Sequence, residues 1–249
     1  MIDVHFVPTP NGRKVTIMLE EVGLPYRVIP YNMLEGEHLT PEFRRINPNG
    51  RLPAIVDHEP IGDGAPFAVM ESGAILLYLS EKAGGALVPP DPRGRSEAVQ
   101  WLMWQMAGLG PMHGQAHHFI RYAPEGQDYG VARYGNEARR LLSVLEARLS
   151  ETEYLAGDYS VADIAAWPWV GATYAIGFEL DPYPATRRWM ASIAERPAVK
   201  RATEAKNAAN LQSRRPVLTP EQWSNLFGEN MLKGSGVADP QAGSLTRTP

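Results

Sequence analysis

Glu71-Ser72 stands where a short apolar run over residues 66–70 hands over to a helix that begins near residue 72. A helix start carries unpaired N–H groups and a partial positive charge, so the Ser72 hydroxyl and the amides around it suit a carboxylate. Glu71 beside them suits an ammonium. Together they have the chemistry of a clamp for a free α-amino-acid end. Upstream, Asn47-Pro48-Asn49-Gly50-Arg51-Leu52-Pro53-Ala54-Ile55-Val56-Asp57 is a turn entering a strand. An X-Pro bond tolerates the cis form, and a cis Leu52-Pro53 bond would turn the Leu52 backbone groups outward as an edge for an extended peptide. Taken singly, Ser72 reads more simply as a plain cap and Glu71 as a solvated charge. Their company points to a small peptide with a free amino-acid end.

The elements that must position these residues can be read in order. Residues 2–7 form a strand, and Asn11 or Gly12 opens a helix that runs to Val22 and stops at Gly23. A second strand covers 26–31. Thr40-Pro41-Glu42 starts a short helix with proline in its first turn. The Pro53 strand, a loop with Pro60, Gly62, Asp63 and Gly64, a strand over 66–70 and a helix over 72–82 complete a β-α-β-α-β-β-α order. That order matches an α/β thioredoxin-like fold.

Gly84-Gly85 and Pro89-Pro90-Asp91-Pro92 mark a linker. The expected organisation is therefore an α/β domain over 1–84, a linker over 85–92, an all-helical domain over 93–207 and a partly flexible extension over 208–249. Helices are expected over 95–120, 129–149, 160–176, 183–195 and 197–207. Leu141, Leu142, Leu145 and Leu149 form a core stripe. Ser160-Val161-Ala162-Asp163 is a capping box with aspartate in place of glutamate. Thr219-Pro220-Glu221-Gln222 starts a short helix with Trp223, Leu226 and Phe227 on its apolar face, placed to fold back over the interdomain cleft or onto a dimer mate.

The 249 residues are 44% hydrophobic, enough for one large or two modest packed domains. A net charge of −4 gives no attraction for nucleic acid or anionic membrane, so neither partner is expected. No run of eighteen apolar residues and no signal peptide is evident, which makes the cytoplasm the expected location. The chain has no cysteine, so any thiol chemistry must use a thiol that arrives with the ligand. His113, His117 and His118 include an i, i+4 pair, but no spaced carboxylate or cysteine accompanies it and no metal is expected.

The Pro53 loop, Glu71-Ser72 and Val161-Ala162-Asp163-Ile164-Ala165 resemble the glutathione transferase superfamily. Thr9-Pro10-Asn11-Gly12, Asn47-Pro48-Asn49-Gly50, and residues 100–106 running into Gly110-Pro111-Met112 resemble its bacterial Nu class over residues 1–206. That class is known for glutathione-dependent disulfide-bond reductase activity and is related to a fungal prion-forming nitrogen regulator. The resemblance implies Thr9 and Asn11 as the residues that activate the glutathione thiol at the first helix. It implies His38, often glutamine in relatives, the Leu52 backbone and Arg133 of a partner subunit as glutathione contacts, and hence a homodimer. Arg51, Pro53, Glu71 and Ser72 join the binding set. Asn11 alone also reads as an ordinary cap, and Arg133 as a solvated helix charge.

A helix terminus stabilises a thiolate by up to ~2 kcal/mol, and a hydrogen bond to a charged sulfur adds ~1.5 to 3. Lowering a thiol pKa by two units needs ~2.7 kcal/mol, so two such contacts suffice without a base. The expected activity is reduction of small disulfides by glutathione, with organic hydroperoxides as further substrates of the same thiolate. Conjugation of electrophiles and a non-catalytic glutathione-binding regulatory module are the alternatives.

Overall fold

In the computed structural model, residues 1–204 and 217–232 are described. Much of the expected C-terminal extension, with its expected flexibility, lies outside them. The first domain runs β1 (Ile2–Phe6), α1 (Pro10–Val22), β2 (Tyr26–Pro30), α2 (Pro41–Ile46), β3 (Ala54–Asp57), β4 (Phe67–Met70) and α3 (Ser72–Lys82). The four strands lie in the order β2-β1-β3-β4. β1 pairs parallel to β2 and antiparallel to β3, with Val4 opposite both Val28 and Ile55, and β3 pairs antiparallel to β4. This is the thioredoxin-like α/β arrangement expected from the element order. β1 is central, and every one of its residues is buried, as a strand covered on both faces requires. Edge strand β4 instead exposes Phe67 and Met70.

Helix α1 is the hinge pin of the molecule. Thr9 is its N-cap and Pro10 occupies its first turn, one residue earlier than the expected start, because Thr9 rather than Asn11 supplies the capping oxygen. Gly23 closes it at φ 68, a conformation glycine adopts without penalty. Its buried side includes Val15, Ile17, Met18 and Leu19. α1 packs on α3 within its own domain and on α7 (Val161–Gly171) and α9 (Pro197–Glu204) of the helical domain. A single core therefore runs from Ile2 and Val4 through Leu19 and Leu76 to Leu145, Ile164 and Trp189.

The helical domain contains α4 (Pro92–Trp104), α5 (Gly110–Arg121), α6 (Asp128–Glu151), α7, α8 (Pro184–Ala194) and α9, followed by α10 (Pro220–Phe227). The expected helix over 95–120 is continuous but changes to a π turn over Gln105–Leu109. Its wider bond, from Gly110 N–H to the Gln105 carbonyl, falls just before Pro111, which has no N–H to give the preceding turn. The leucine stripe of α6 is buried as expected. The capping box at Ser160 and Asp163 is present, and the Asp163 carboxylate also accepts from Leu155 N–H and Trp189 Nε1.

Helix α10 folds back over its own chain. Asn225 Nδ2 donates to the Leu34 carbonyl at 2.8 Å, while Phe227 packs against His118 and Tyr122 of α5. The C-terminal segment thus bridges the two domains.

Candidate active site

The starts of α1 and α3 carry the residues singled out by the sequence, and Lys14 of α1 links the two helices by donating to Ser72 Oγ at 3.1 Å. At the first, Thr9 Oγ1 accepts from Gly12 N–H at 3.4 Å, which leaves the Thr9 hydroxyl proton free to donate. Asn11 lies one residue inside the helix, and its Oδ1 accepts from Trp169 Nε1 of α7 at 2.8 Å. Indole nitrogen is only a donor, so this bond fixes the orientation of the amide and leaves the Asn11 NH2 as a donor. Gly12 makes the tight turn possible, since a Cβ there would sit 2.1 Å from the Val7 carbonyl. Two donors thus stand at the positive end of α1.

At the second start, Glu71 is the N-cap of α3 with φ 66, a left-handed backbone that costs a non-glycine residue ~1–3 kcal/mol and tends to persist at ligand sites. Ser72 is almost wholly buried. The Leu52-Pro53 bond is cis, and the register of β3 begins at Ala54, which leaves Leu52 outside the strand ladder. Asn47 secures this loop by donating to the Arg51 carbonyl at 2.6 Å and accepting from Asn49 N–H at 3.0 Å. Asn49 Nδ2 reaches Glu71 Oε1 at 3.4 Å and ties the two loops together.

His38 is fully buried, and neither ring nitrogen has a hydrogen-bond partner. Burial first, then the charges of Arg51 and Arg44, hold its pKa down at about 4, so the ring is neutral through the working range. Arg51 and Arg44 meet the C-terminal segment. Arg51 contacts Met231 Sδ at 3.2 Å, and Arg44 donates to the Met231 carbonyl at 2.9 Å. Arg133 lies on α6, half exposed, where it pairs loosely with Glu137 of its own helix at 4.0 Å. Among the described residues no group of three or more histidines and carboxylates is placed to hold a metal ion.

Three residues of this site carry no role in the sequence reading. Lys14 Nζ, buried beneath the site, donates to Ser72 Oγ at 3.1 Å and to Gln105 Oε1 at 2.6 Å. Its sequence signal was its place one helical turn before Met18, on the buried side of α1. Trp169 and Gln105 meet the site only through tertiary packing, which no local pattern encodes.

A four-stranded mixed sheet with α1 between it and a helical domain, and donors at both helix starts, defines a glutathione transferase type of scaffold. Residues 9–82 match the glutathione S-transferase N-terminal domain and residues 112–197 its C-terminal domain. The chain belongs to the glutathione S-transferase family. It is 49% identical over 203 residues to disulfide-bond oxidoreductase YfcG of Escherichia coli K12, covering 81% of this chain and 94% of that one. It is 39% identical to disulfide-bond oxidoreductase YghU of the same organism, covering 80% and 73%. Among solved structures, a glutathione transferase from Burkholderia graminis with two glutathione molecules per subunit superposes with TM-score 0.76 at 43% identity, covering 83% of this chain and 88% of that one. One from Pseudomonas putida with a bound glutathione disulfide gives 0.77 at 40%, covering 83% and 92%.

Proposed function

We propose that this protein is a glutathione-dependent disulfide-bond reductase. The observation that carries the reading is the Trp169–Asn11 bond, which leaves the Asn11 amide and the Thr9 hydroxyl as donors at the positive end of α1. A glutathione sulfur placed there is stabilised as thiolate. Glu71 and the Ser72 end of α3 take the two charges of the γ-glutamyl group, Leu52 pairs with the peptide backbone, and His38 and Arg51 lie toward the far end of the ligand. The names of YfcG and YghU support the reaction type, and the bound glutathione and glutathione disulfide in the relatives support the ligand.

The thiolate attacks one sulfur of a small disulfide, forming a mixed disulfide and releasing the other half as a thiolate. A second glutathione thiolate then attacks the glutathione sulfur of that mixed disulfide, releasing the second substrate thiol and glutathione disulfide. Two glutathiones lose the electrons that one disulfide gains, and no protein cysteine is required. Organic hydroperoxides offer the same thiolate an electrophilic oxygen. A reducing compartment such as the cytoplasm keeps glutathione in the form the reaction consumes. The reading includes a homodimer, for which the exposed apolar side chains of Phe67, Met70 and Met103 are the support, with the partner's Arg133 as the residue expected to reach this site.

The test is steady-state reduction of a hydroxyalkyl disulfide by glutathione, coupled to glutathione reductase. Wild-type turnover that falls at least ~10-fold in Asn11→Ala, a loss of ~1.4 kcal/mol, supports the reading. No turnover above the uncatalysed rate in the wild type sinks it, and an organic hydroperoxide or an electrophile is then assayed in place of the disulfide.

A further inference from the structure

Lys14 is 1% exposed, an unusual burial for a lysine. It sits where α1, the start of α3 and the π turn meet. Its Nζ lies 3.1 Å from Ser72 Oγ, 2.6 Å from Gln105 Oε1 and 3.3 Å from Met106 Sδ. None of these partners is a carboxylate. The charge that bears on it is Glu71, one residue ahead of Ser72. On the other elements packed against α1, the charged groups among the described side chains are engaged elsewhere. Asp163 of α7 is held by Leu155, Ser160 and Trp189. On α9, Arg201 pairs with Glu20 and Lys200 with Glu195.

An ammonium can only donate hydrogen bonds. While Lys14 is charged it occupies a lone pair of the Ser72 oxygen, and the Ser72 proton must point elsewhere; its other neighbour is the weak acceptor Met106 Sδ at 3.6 Å. A neutral amine can instead accept that proton and draw it away from the cleft.

We propose that Lys14 is a positioning residue for the γ-glutamyl carboxylate: as an ammonium it turns the Ser72 hydroxyl toward the ligand and lies beneath it as a counter-charge, so that binding takes up a proton. This rests on the glutathione-binding reading above. Burial lowers Lys14 to about 7, with the charge of Glu71 pulling the other way, so the free protein near neutral pH holds a mixture of both forms. A bound carboxylate favours the charged one. Ligand binding is therefore tightest below neutrality and weakens as the solution becomes alkaline.

The test uses S-methylglutathione, whose sulfur carries no proton, and isothermal titration calorimetry from pH 6 to pH 8 in buffers of different ionisation enthalpy. The expected result is net proton uptake near pH 7.5 and a dissociation constant that rises about fivefold or more across that span. Lys14→Met, of similar length and without charge, should bind more weakly and lose both the uptake and the pH dependence. Its KM for glutathione should rise by a larger factor than its kcat falls, and Lys14→Arg should recover affinity without the pH dependence. Wild-type binding with no proton uptake and a flat profile overturns the inference while leaving the glutathione reading intact. Failure of the wild type to bind S-methylglutathione or glutathione at any pH overturns both, and it is read on the unmutated protein whatever the fate of the variants.

Discussion

The indole N–H of Trp169, on the seventh helix, donates to the side-chain oxygen of Asn11, on the first, across 2.8 Å. A residue of the helical domain thereby decides which end of the Asn11 amide is engaged and leaves its NH2 as the free donor. Trp169→Phe keeps the ring and removes the donor, so the amide is free to rotate its oxygen toward the sulfur and repel the thiolate. Disulfide reductase turnover should fall ~3- to 10-fold, equivalent to ~0.7 to 1.4 kcal/mol. A pH–rate profile should show the bound thiol titrating at higher pH than in the wild type; equal turnover and an unshifted profile would mean that Trp169 only packs.

Gly12 lies where the chain leaves β1 and enters α1. A methyl group there would approach the Val7 carbonyl to 2.1 Å and the Phe6 ring to 3.0 Å. The first of these is backbone and cannot swing aside, so the turn that carries Thr9 must move. Gly12→Ala should destabilise the protein by ~1–3 kcal/mol, read as a lower midpoint in urea, with reductase activity lost at temperatures where the variant is still folded.

Much of this was legible in the sequence, for identifiable reasons. The strands and helices of the first domain show because glycines, prolines and short apolar runs punctuate them. Glu71-Ser72 and Leu52-Pro53 show because a helix start and an X-Pro bond are local features. The capping box at Ser160 also lies within four residues. Lys14, Gln105 and Trp169 were not assigned because their meaning is tertiary: Lys14 reads as one more helix charge until Gln105, 91 residues on, is found at 2.6 Å. The π turn was hidden for a related reason, since helical periodicity over residues 95–120 does not register a single widened turn. The docking of residues 220–232 on the first domain depends on Asn225 finding Leu34, a contact across 191 positions.

His38 and His113 are both fully buried, and burial lowers each to about 4, with Arg51 and Arg44 adding to the effect at His38. Folded protein therefore binds fewer protons at these rings than unfolded protein between pH 6.5 and pH 4. Stability falls as pH drops through that window, by ~1.4 kcal/mol per pH unit for each ring over most of it. Thermal midpoints should decline from pH 7 to pH 4.5. His113→Gln should flatten the decline relative to wild type; an unchanged slope would show that the ring is protonated in the folded state.

Asp163 shows how far a short motif can extend. From the sequence it is one half of a capping box, and its loss would cost ~1 kcal/mol or more. In the fold its carboxylate is buried and accepts from Leu155 N–H and Trp189 Nε1 as well as from Ser160. Asp163→Ala leaves those buried donors unpaired, at ~1–3 kcal/mol each when no water reaches them. The expected loss is ~3 kcal/mol or more, visible in a urea titration, whereas Ser160→Ala, which removes only the hydroxyl, should cost ~1 kcal/mol.

The buried ammonium of Lys14 predicts a conflict between stability and binding. Its pKa in the folded protein, about 7, lies below the ordinary 10.5, so between those values the unfolded chain holds more protons and stability rises with pH. Lys14→Met removes the cost of burying charge but strands Gln105 Oε1, which Lys14 now satisfies at 2.6 Å. Exchange of a buried charge for an apolar side chain of similar size commonly stabilises, and the expected net gain is ~1 kcal/mol at pH 7. The gain should shrink as the pH rises from 7 toward 10.5, because the folded wild-type amine is by then neutral and the cost of discharging the unfolded one falls away. Urea titrations of the two proteins at pH 7 and pH 9.5 measure it. A variant less stable than wild type at both values would show that Lys14 is kept for the fold, whereas a more stable protein with weaker ligand binding would show that the charge is kept for the site.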